Sequence, residues 1–163
     1  MHGTFYVHVF VLQDAGATGI DVRLGNYGAD LIEVADNGSG IESGDLDSLC
    51  IRHATSKITT FKDLEGVQTF GFRGEALASL CACCSSVEVV TRTSDDEVAT
   101  CLTYGHDGAP VQQKAHARNV GTTVKVQGLF ARLPVRQADF LRGGTRHMAK
   151  ALQQLQAYAV AAP

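Results

Sequence analysis

Four short clusters in this 163-residue sequence combine residue types suited to holding a flat base and a chain of phosphates. The first is Asp36-Asn37-Gly38-Ser39-Gly40. A carboxylate at a strand end accepts a hydrogen bond from an exocyclic amine such as that of adenine. The glycines let the backbone turn tightly and approach the base. The same residues also fit an ordinary Asp/Gly turn. The second cluster, Arg52 to Lys57 (RHATSK), puts Thr55, Ser56 and Lys57 on a loop. Two hydroxyls and an ammonium there suit a phosphate tail, and a helix C-terminus with a capping lysine fits as well. In the third, Gly71-Phe72-Arg73-Gly74-Glu75-Ala76-Leu77, glycines lead straight into a helix. Its free N–H groups form an anion site, while Glu75 in the first turn complements the helix dipole. No Gly-Lys-Ser/Thr follows, so this is not a Walker loop. The fourth, Gly121-Thr122-Thr123, opens a strand; a hydroxyl there reaches a base through water, or simply starts the strand.

The elements that must position these clusters follow from periodicity. Phe5–Leu12 is aromatic and β-branched and reads as a strand. Asp14–Thr18 is a turn. Ile20–Leu24 and Leu31–Ala35 read as strands joined at Gly25–Gly28. Asp45–Ile51 reads as a short helix, 52–73 as loop with a short helix near Lys62–Val67, and Gly74–Cys83 as a helix with Ala76, Leu77, Leu80 and Cys81 on one face. Strands are expected at Val87–Arg92, Val98–Tyr104 and Thr122–Gln127, with a turn at His106–Gly108. Beyond Leu133-Pro134 come two closing helices, one near Val135–Leu141 and a longer one from Thr145. The pattern is α+β, a mostly antiparallel sheet with helices on one face.

Composition sets the class. Apolar residues make up 45% and charged residues 19%, a globular balance that excludes a disordered chain. The net charge of −3 hides an asymmetry. Residues 1–113 carry 6 Lys/Arg and 16 Asp/Glu, whereas residues 114–163 carry 8 Lys/Arg against Asp139 alone. The basic segment attracts a phosphate backbone, or it neutralises the acidic front half as a solvated face. The five cysteines, Cys50, Cys81, Cys83, Cys84 and Cys101, match no zinc spacing and read as reduced thiols. No apolar run approaches the ~20 residues that cross a bilayer, and the start lacks the basic region and cleavage site of a signal peptide.

The order of the four clusters resembles the GHKL ATPase superfamily of gyrases, heat-shock chaperones, histidine kinases and MutL. Within it, RHATSK, GFRGEALASL and LPVR…FL are similar to the MutL family of DNA mismatch-repair proteins. YGADLIEVADNGSGI and VQTFGFRGEALASLCA look like the eukaryotic postmeiotic-segregation (PMS-type) branch. The likeness runs over about residues 14–160. It implies a Bergerat-type ATP-binding sandwich, with a mixed, mostly antiparallel sheet and helices enclosing ATP. It also implies a site. Asp36 would take the adenine amine, with Gly38 and Gly40 lining the base pocket and Thr122 completing the adenine side. Thr55, Ser56 and Lys57 would lie in a lid over the phosphates. Gly71, Phe72, Arg73, Gly74, Glu75, Ala76 and Leu77 would hold the phosphate tail through their backbone. The resemblance further implies ATP-gated clamping in mismatch repair, a MutL-family partner subunit, sequence-independent DNA contact through the basic segment after residue 113, and a nuclear location. A histidine kinase of the same superfamily is disfavoured by GFRGEAL.

The sequence departs from the family pattern at its start. The family places a helix before the Asp-Ala-Gly-Ala-Thr turn, carrying a Glu that activates water and an Asn that holds Mg²⁺. Here Val7 stands at the first position and Val11 at the second, and neither side chain can do that chemistry. His8 is one position off, turned about 100° away on a helix. The expected division is a non-family segment over 1–12, a MutL-type core over 13–142, and a closing helix over 143–163 that leads towards an absent second domain. ATP hydrolysis by the chain alone is therefore in doubt. Two origins remain open: an altered or misassigned start to an ATPase domain, or a binding module that regulates or decoys without turnover.

Overall fold

The structure, a computed structural model, describes residues 4–9, 16–51 and 75–161. The expected helix near residues 62–67 and the loop around it lie outside the described residues. Among the described residues, seven strands form one sheet: β1 (Thr4–Val9), β2 (Ile20–Gly25), β3 (Leu31–Asp36), β4 (Ser86–Arg92), β5 (Ala99–Tyr104), β6 (Pro110–His116) and β7 (Gly121–Gln127), in the order β1-β2-β3-β7-β4-β5-β6. Three helices accompany them among the described residues, α1 (Ala76–Cys83), α2 (Pro134–Arg142) and α3 (Gly144–Ala161). The architecture is α+β, as expected. The described strands pair antiparallel throughout, so the parallel component of a mixed sheet is not found among them.

Strand alternation sorts the side chains. On one face, Val22, Val34, Val124, Val89 and Leu102 lie in one transverse row, and Leu24, Ile32, Val126, Val87 and Tyr104 in the next. Helix α1 covers the β4 side of this face through Cys81, Cys84, Leu77 and Leu80, and α3 covers the β2 side through Met148, Leu152 and Leu155. Ile32 belongs to both clusters, so β3 runs along the seam between the two helices. Burying each large aliphatic side chain contributes roughly 1.5–3 kcal/mol. The other face carries charge: Arg23, Glu33, Lys125 and Glu88 stand in register on β2, β3, β7 and β4. Arg23 and Glu33 approach to 3.7 Å, as do Lys114 and Glu88.

Two local expectations change. Asp45–Ile51 is not an α-helix. A 3-10 turn at Ser43–Asp45 runs into turns closed by Ser48 N–H to Asp45, Leu49 N–H to Leu46 and Ile51 N–H to Ser48, a spacing of three that α-helices do not use. The Tyr104 hydroxyl donates to the Leu46 carbonyl at 2.8 Å and pins this segment to the sheet. Strand β6 was not expected. It is an edge strand, exposed along nearly its whole length, and PVQQKAH has no alternation to betray it. The strand read from Phe5–Leu12 is found at Thr4–Val9, where the family would carry a helix, in register with β2 and with Val7 paired to Val22.

All five cysteines are free thiols. Cys50, Cys81, Cys84 and Cys101 are buried and Cys83 is half-buried. Burial, reinforced by the neighbouring Cys83, pushes the Cys84 thiol up to about 12. Under native conditions at pH 8 a thiol-reactive dye is therefore expected to label Cys83 first, with the rest reacting only on denaturation. Rapid labelling of all five in the folded protein would contradict this packing.

Candidate functional site

The apolar rows of the helix-covered face end in polar residues. Asp36 closes β3 two positions beyond Val34, and on β7 and β4 the corresponding places belong to Thr122 and Thr91, which pair directly. Both threonines are buried. The Thr91 hydroxyl lies 3.1 Å from that of Thr122 and 3.2 Å from the Gly121 carbonyl, and it accepts the Ile41 N–H at 2.9 Å. A polar corner thus closes this face of the sheet at the ends of β3, β7 and β4.

The Asp36 carboxylate is oriented by the backbone around it. Its Oδ1 accepts the Gly38 N–H at 2.9 Å and the Thr122 N–H at 3.2 Å. Among the described residues, no hydrogen bond engages its Oδ2, so one oxygen is fixed and the other is left to accept a donor. The loop that follows is braced by Asn37. Its Oδ1 accepts the N–H groups of Thr18 and Gly19, and its Nδ2 donates to the Thr18 hydroxyl at 2.8 Å. Two glycines make the corner possible. Gly40 has φ +84°, and a Cβ there would collide with the Arg92 carbonyl. Gly121 has φ +126°, and a Cβ there would collide with the Asp36 carbonyl.

Of the residues singled out from sequence, Asp36, Gly38, Gly40 and Thr122 converge on this corner. Glu75 is exposed at the cap of α1, with Ala76 and Leu77 in the first turn; Leu77 packs against the main core. Thr55, Ser56, Lys57, Gly71, Phe72, Arg73 and Gly74 lie outside the described residues. Two contributors escaped the sequence reasoning. Thr91 is a hydroxyl in an otherwise apolar stretch of β4, a signal that was present. Arg118 lies 82 residues from Asp36, and nothing in its local sequence announces the contact it makes.

The basic segment does not form one patch. Lys114 pairs with Glu88, Lys125 stands between Glu33 and Glu88, and Arg118 is tied to backbone carbonyls. Arg132, Arg136, Arg142, Arg146 and Lys150 are exposed on the α2–α3 side, where Arg142 also pairs with Asp139. There, Phe140 stacks on His147 with ring centres 5.0 Å apart, beside a groove of about 840 Å³. No described helix is long and apolar enough to cross a membrane.

No family model matches the chain. Individual proteins do. The chain is 50% identical over 147 residues to the mismatch repair endonuclease PMS2 of Gallus gallus and to that of Homo sapiens, covering 90% of this chain and 17% of each relative. It is 46% identical over 149 residues to the DNA mismatch repair protein PMS1 of Arabidopsis thaliana, covering 91% and 16%. Among solved structures, the N-terminal domain of a DNA repair protein superimposes with TM-score 0.68 at 41% identity, over 81% of this chain and 36% of that one. A MutL ATPase domain of Aquifex aeolicus shares the fold with TM-score 0.54 at 22% identity, over 80% and 41%. The chain thus spans about a sixth of the length of these curated relatives. Sequence and fold together make this chain a member of the MutL family of DNA mismatch-repair proteins, similar to its PMS-type branch.

Proposed function

We propose that this chain binds ATP at the corner built on Asp36, as the nucleotide-holding core of a MutL-type clamp in DNA mismatch repair, and that it does not turn the nucleotide over by itself. The observation that carries the binding half is the Asp36 carboxylate, with one oxygen fixed by two backbone N–H groups and the other without a hydrogen-bond partner among the described residues. In that arrangement Oδ2 accepts the adenine amine, Gly38 and Gly40 face the base, and Thr122 completes its other side. Thr55, Ser56 and Lys57, with Gly71, Phe72, Arg73, Gly74, Glu75, Ala76 and Leu77, are proposed for the phosphates. The non-hydrolysing half rests on β1. The residue aligned with the family's general base is an aliphatic in a strand, and Val11, at the metal position, has no donor atom. Because Val11 leaves the family's metal-holding position without a ligand, a protein-held Mg²⁺ is not part of this proposal. The alternative reading is a regulatory or decoy module that engages a MutL-family partner without turnover; the likeness to eukaryotic PMS-type relatives supports a nuclear location.

Thermal unfolding with and without Mg-ATP tests the binding half. At about 100 times the dissociation constant, ligand adds roughly 2.7 kcal/mol, a midpoint rise of roughly 5–10 °C at this size. The rise is expected to vanish in Asp36→Ala; a cooperatively folded protein with no rise at all refutes ATP binding.

DNA contact is proposed for the exposed arginines of α2 and α3. Reversing two charges, Arg142→Glu with Arg146→Glu, is expected to weaken binding to random-sequence duplex by about tenfold or more and to flatten its salt dependence. Unchanged affinity would leave these side chains as a solvated face.

A further inference from the structure

Arg118 touches the proposed base site from behind. It sits in the loop between β6 and β7, half-buried. Its Nη2 donates to the Asp36 carbonyl at 2.6 Å, its Nε to the Thr123 hydroxyl at 3.0 Å and its Nη1 to the Asn119 carbonyl at 3.2 Å. Thr123 follows Thr122 and, by strand alternation, faces the opposite side of the sheet. The guanidinium therefore grips the end of β3 from the charged face, while the Asp36 carboxylate works on the helix-covered face. The grip is itself held: Arg92 Nη1 donates to the Arg118 carbonyl at 3.2 Å, and Arg92 Nε donates to the Asp96 carbonyl at 3.0 Å. A cavity of about 340 Å³, lined by Asp21, Ala35, Asp36, Asn119 and Thr123 among others, lies beside it.

We infer that Arg118 is a positioning residue for base selection, fixing the Asp36 main chain so that the carboxylate meets an exocyclic amine. The inference rests on the proposed role of Asp36. A carboxylate at a strand end swings with its own backbone, and the β3–β7 pairing stops at Ala35 and Thr123, one residue short of Asp36. Asp36 is paired with Ile20 on its β2 side; on its β7 side the Arg118 Nη2 bond stands in for a ladder bond, and the prongs to Thr123 and Asn119 hold the guanidinium there. Lysine cannot reproduce it, because one ammonium cannot hold three acceptors arranged around a planar fork. Burial lowers the Arg118 pKa, opposed by the nearby Asp36 charge, yet arginine stays cationic at neutral pH.

Base discrimination separates positioning from general support. Binding of ADP and of inosine diphosphate, which carries a carbonyl oxygen in place of the amine, is measured calorimetrically with the whole chain. The unsubstituted protein is expected to favour ADP by tenfold or more, an order of magnitude typical of one polar contact made or missed. Asp36→Ala removes the preference. Arg118→Ala is expected to reduce it about fivefold or more while leaving inosine diphosphate binding unchanged, with Arg118→Lys in between. Thr123→Val, which deletes one prong with little change in shape, serves as the second variant if Arg118→Ala does not fold, and is expected to lower the preference more modestly. Full preference in the folded arginine variant, or in Thr123→Val where that is the one that folds, overturns the inference; so does an equal loss of both affinities, which marks a structural role. Absence of preference in the unsubstituted protein is a different result: it removes the base-binding role of Asp36 first, and the Arg118 role falls with it.

Discussion

Phosphate release from Mg-ATP by this chain is expected to run about 10²–10⁴-fold below that of a MutL ATPase domain assayed beside it, the factor that a positioned general base contributes. The reason is local. Residue 7 is valine, and it lies in a six-residue strand whose partners run from Gly25 back to Ile20. A helix offers a carboxylate at one position and an amide four later on a single face; a strand hydrogen-bonded to β2 holds its residues along an extended line instead. Placing Glu at position 7 alone is therefore expected to leave the rate at background, because the backbone that would aim it is absent. The assay is a coupled phosphate measurement, with Asp36→Ala as the blank. Turnover at the family rate that disappears in Asp36→Ala would show that another group in the pocket serves as base, and the non-hydrolysing proposal would be abandoned.

Gly40→Ala carries the largest expected effect on stability. Its φ of +84° is strained for any side chain, and the added methyl meets the Arg92 carbonyl in the backbone of β4, which cannot swing aside. Strain and overpacking together cost about 3 kcal/mol, or a fall of roughly 10 °C in the midpoint at this size. Gly44→Ala is the matched control: it lies four residues on, has no left-handed φ, and a methyl there meets nothing within 4 Å. That variant is expected to melt close to the parent. Equal melting of the two would mean that the loop after Asp36 does not pack on β4 as described. In a folded Gly40→Ala the nucleotide-dependent rise is also expected to shrink, since the loop shifts away from the base corner.

The sequence made some of this legible and hid the rest for physical reasons. Strands with one buried face announce themselves by alternation, and β2, β3 and β7 came within a residue or so of their observed bounds. Asp36 was found because it ends such a strand and precedes two glycines. Strand β6 was not, because an edge exposed on both sides needs no apolar period. The Asp45–Ile51 stretch has leucines and a cysteine at helix-like spacing, but tertiary anchoring through Leu46 and Cys50 suits tighter turns equally well. The start of the chain held two conflicting signals. Its β-branched and aromatic composition favoured a strand, and alignment to the family favoured a helix; the composition prevailed. Arg118 was invisible because its significance is wholly non-local.

The row of Arg23, Glu33, Lys125 and Glu88 across the charged face has a consequence for how the sheet finds its pairing. Side chains alternate with a period of two, so sliding any of these strands by one residue turns its charge inward against α1 or α3 and its valines outward to water. Each mispaired state would bury an ion without its in-register neighbour, at a cost of several kcal/mol. The charges that contribute little as surface ion pairs thus act as error-checking during folding: they leave the correct alignment nearly untouched in energy and make its nearest competitors too unstable to populate.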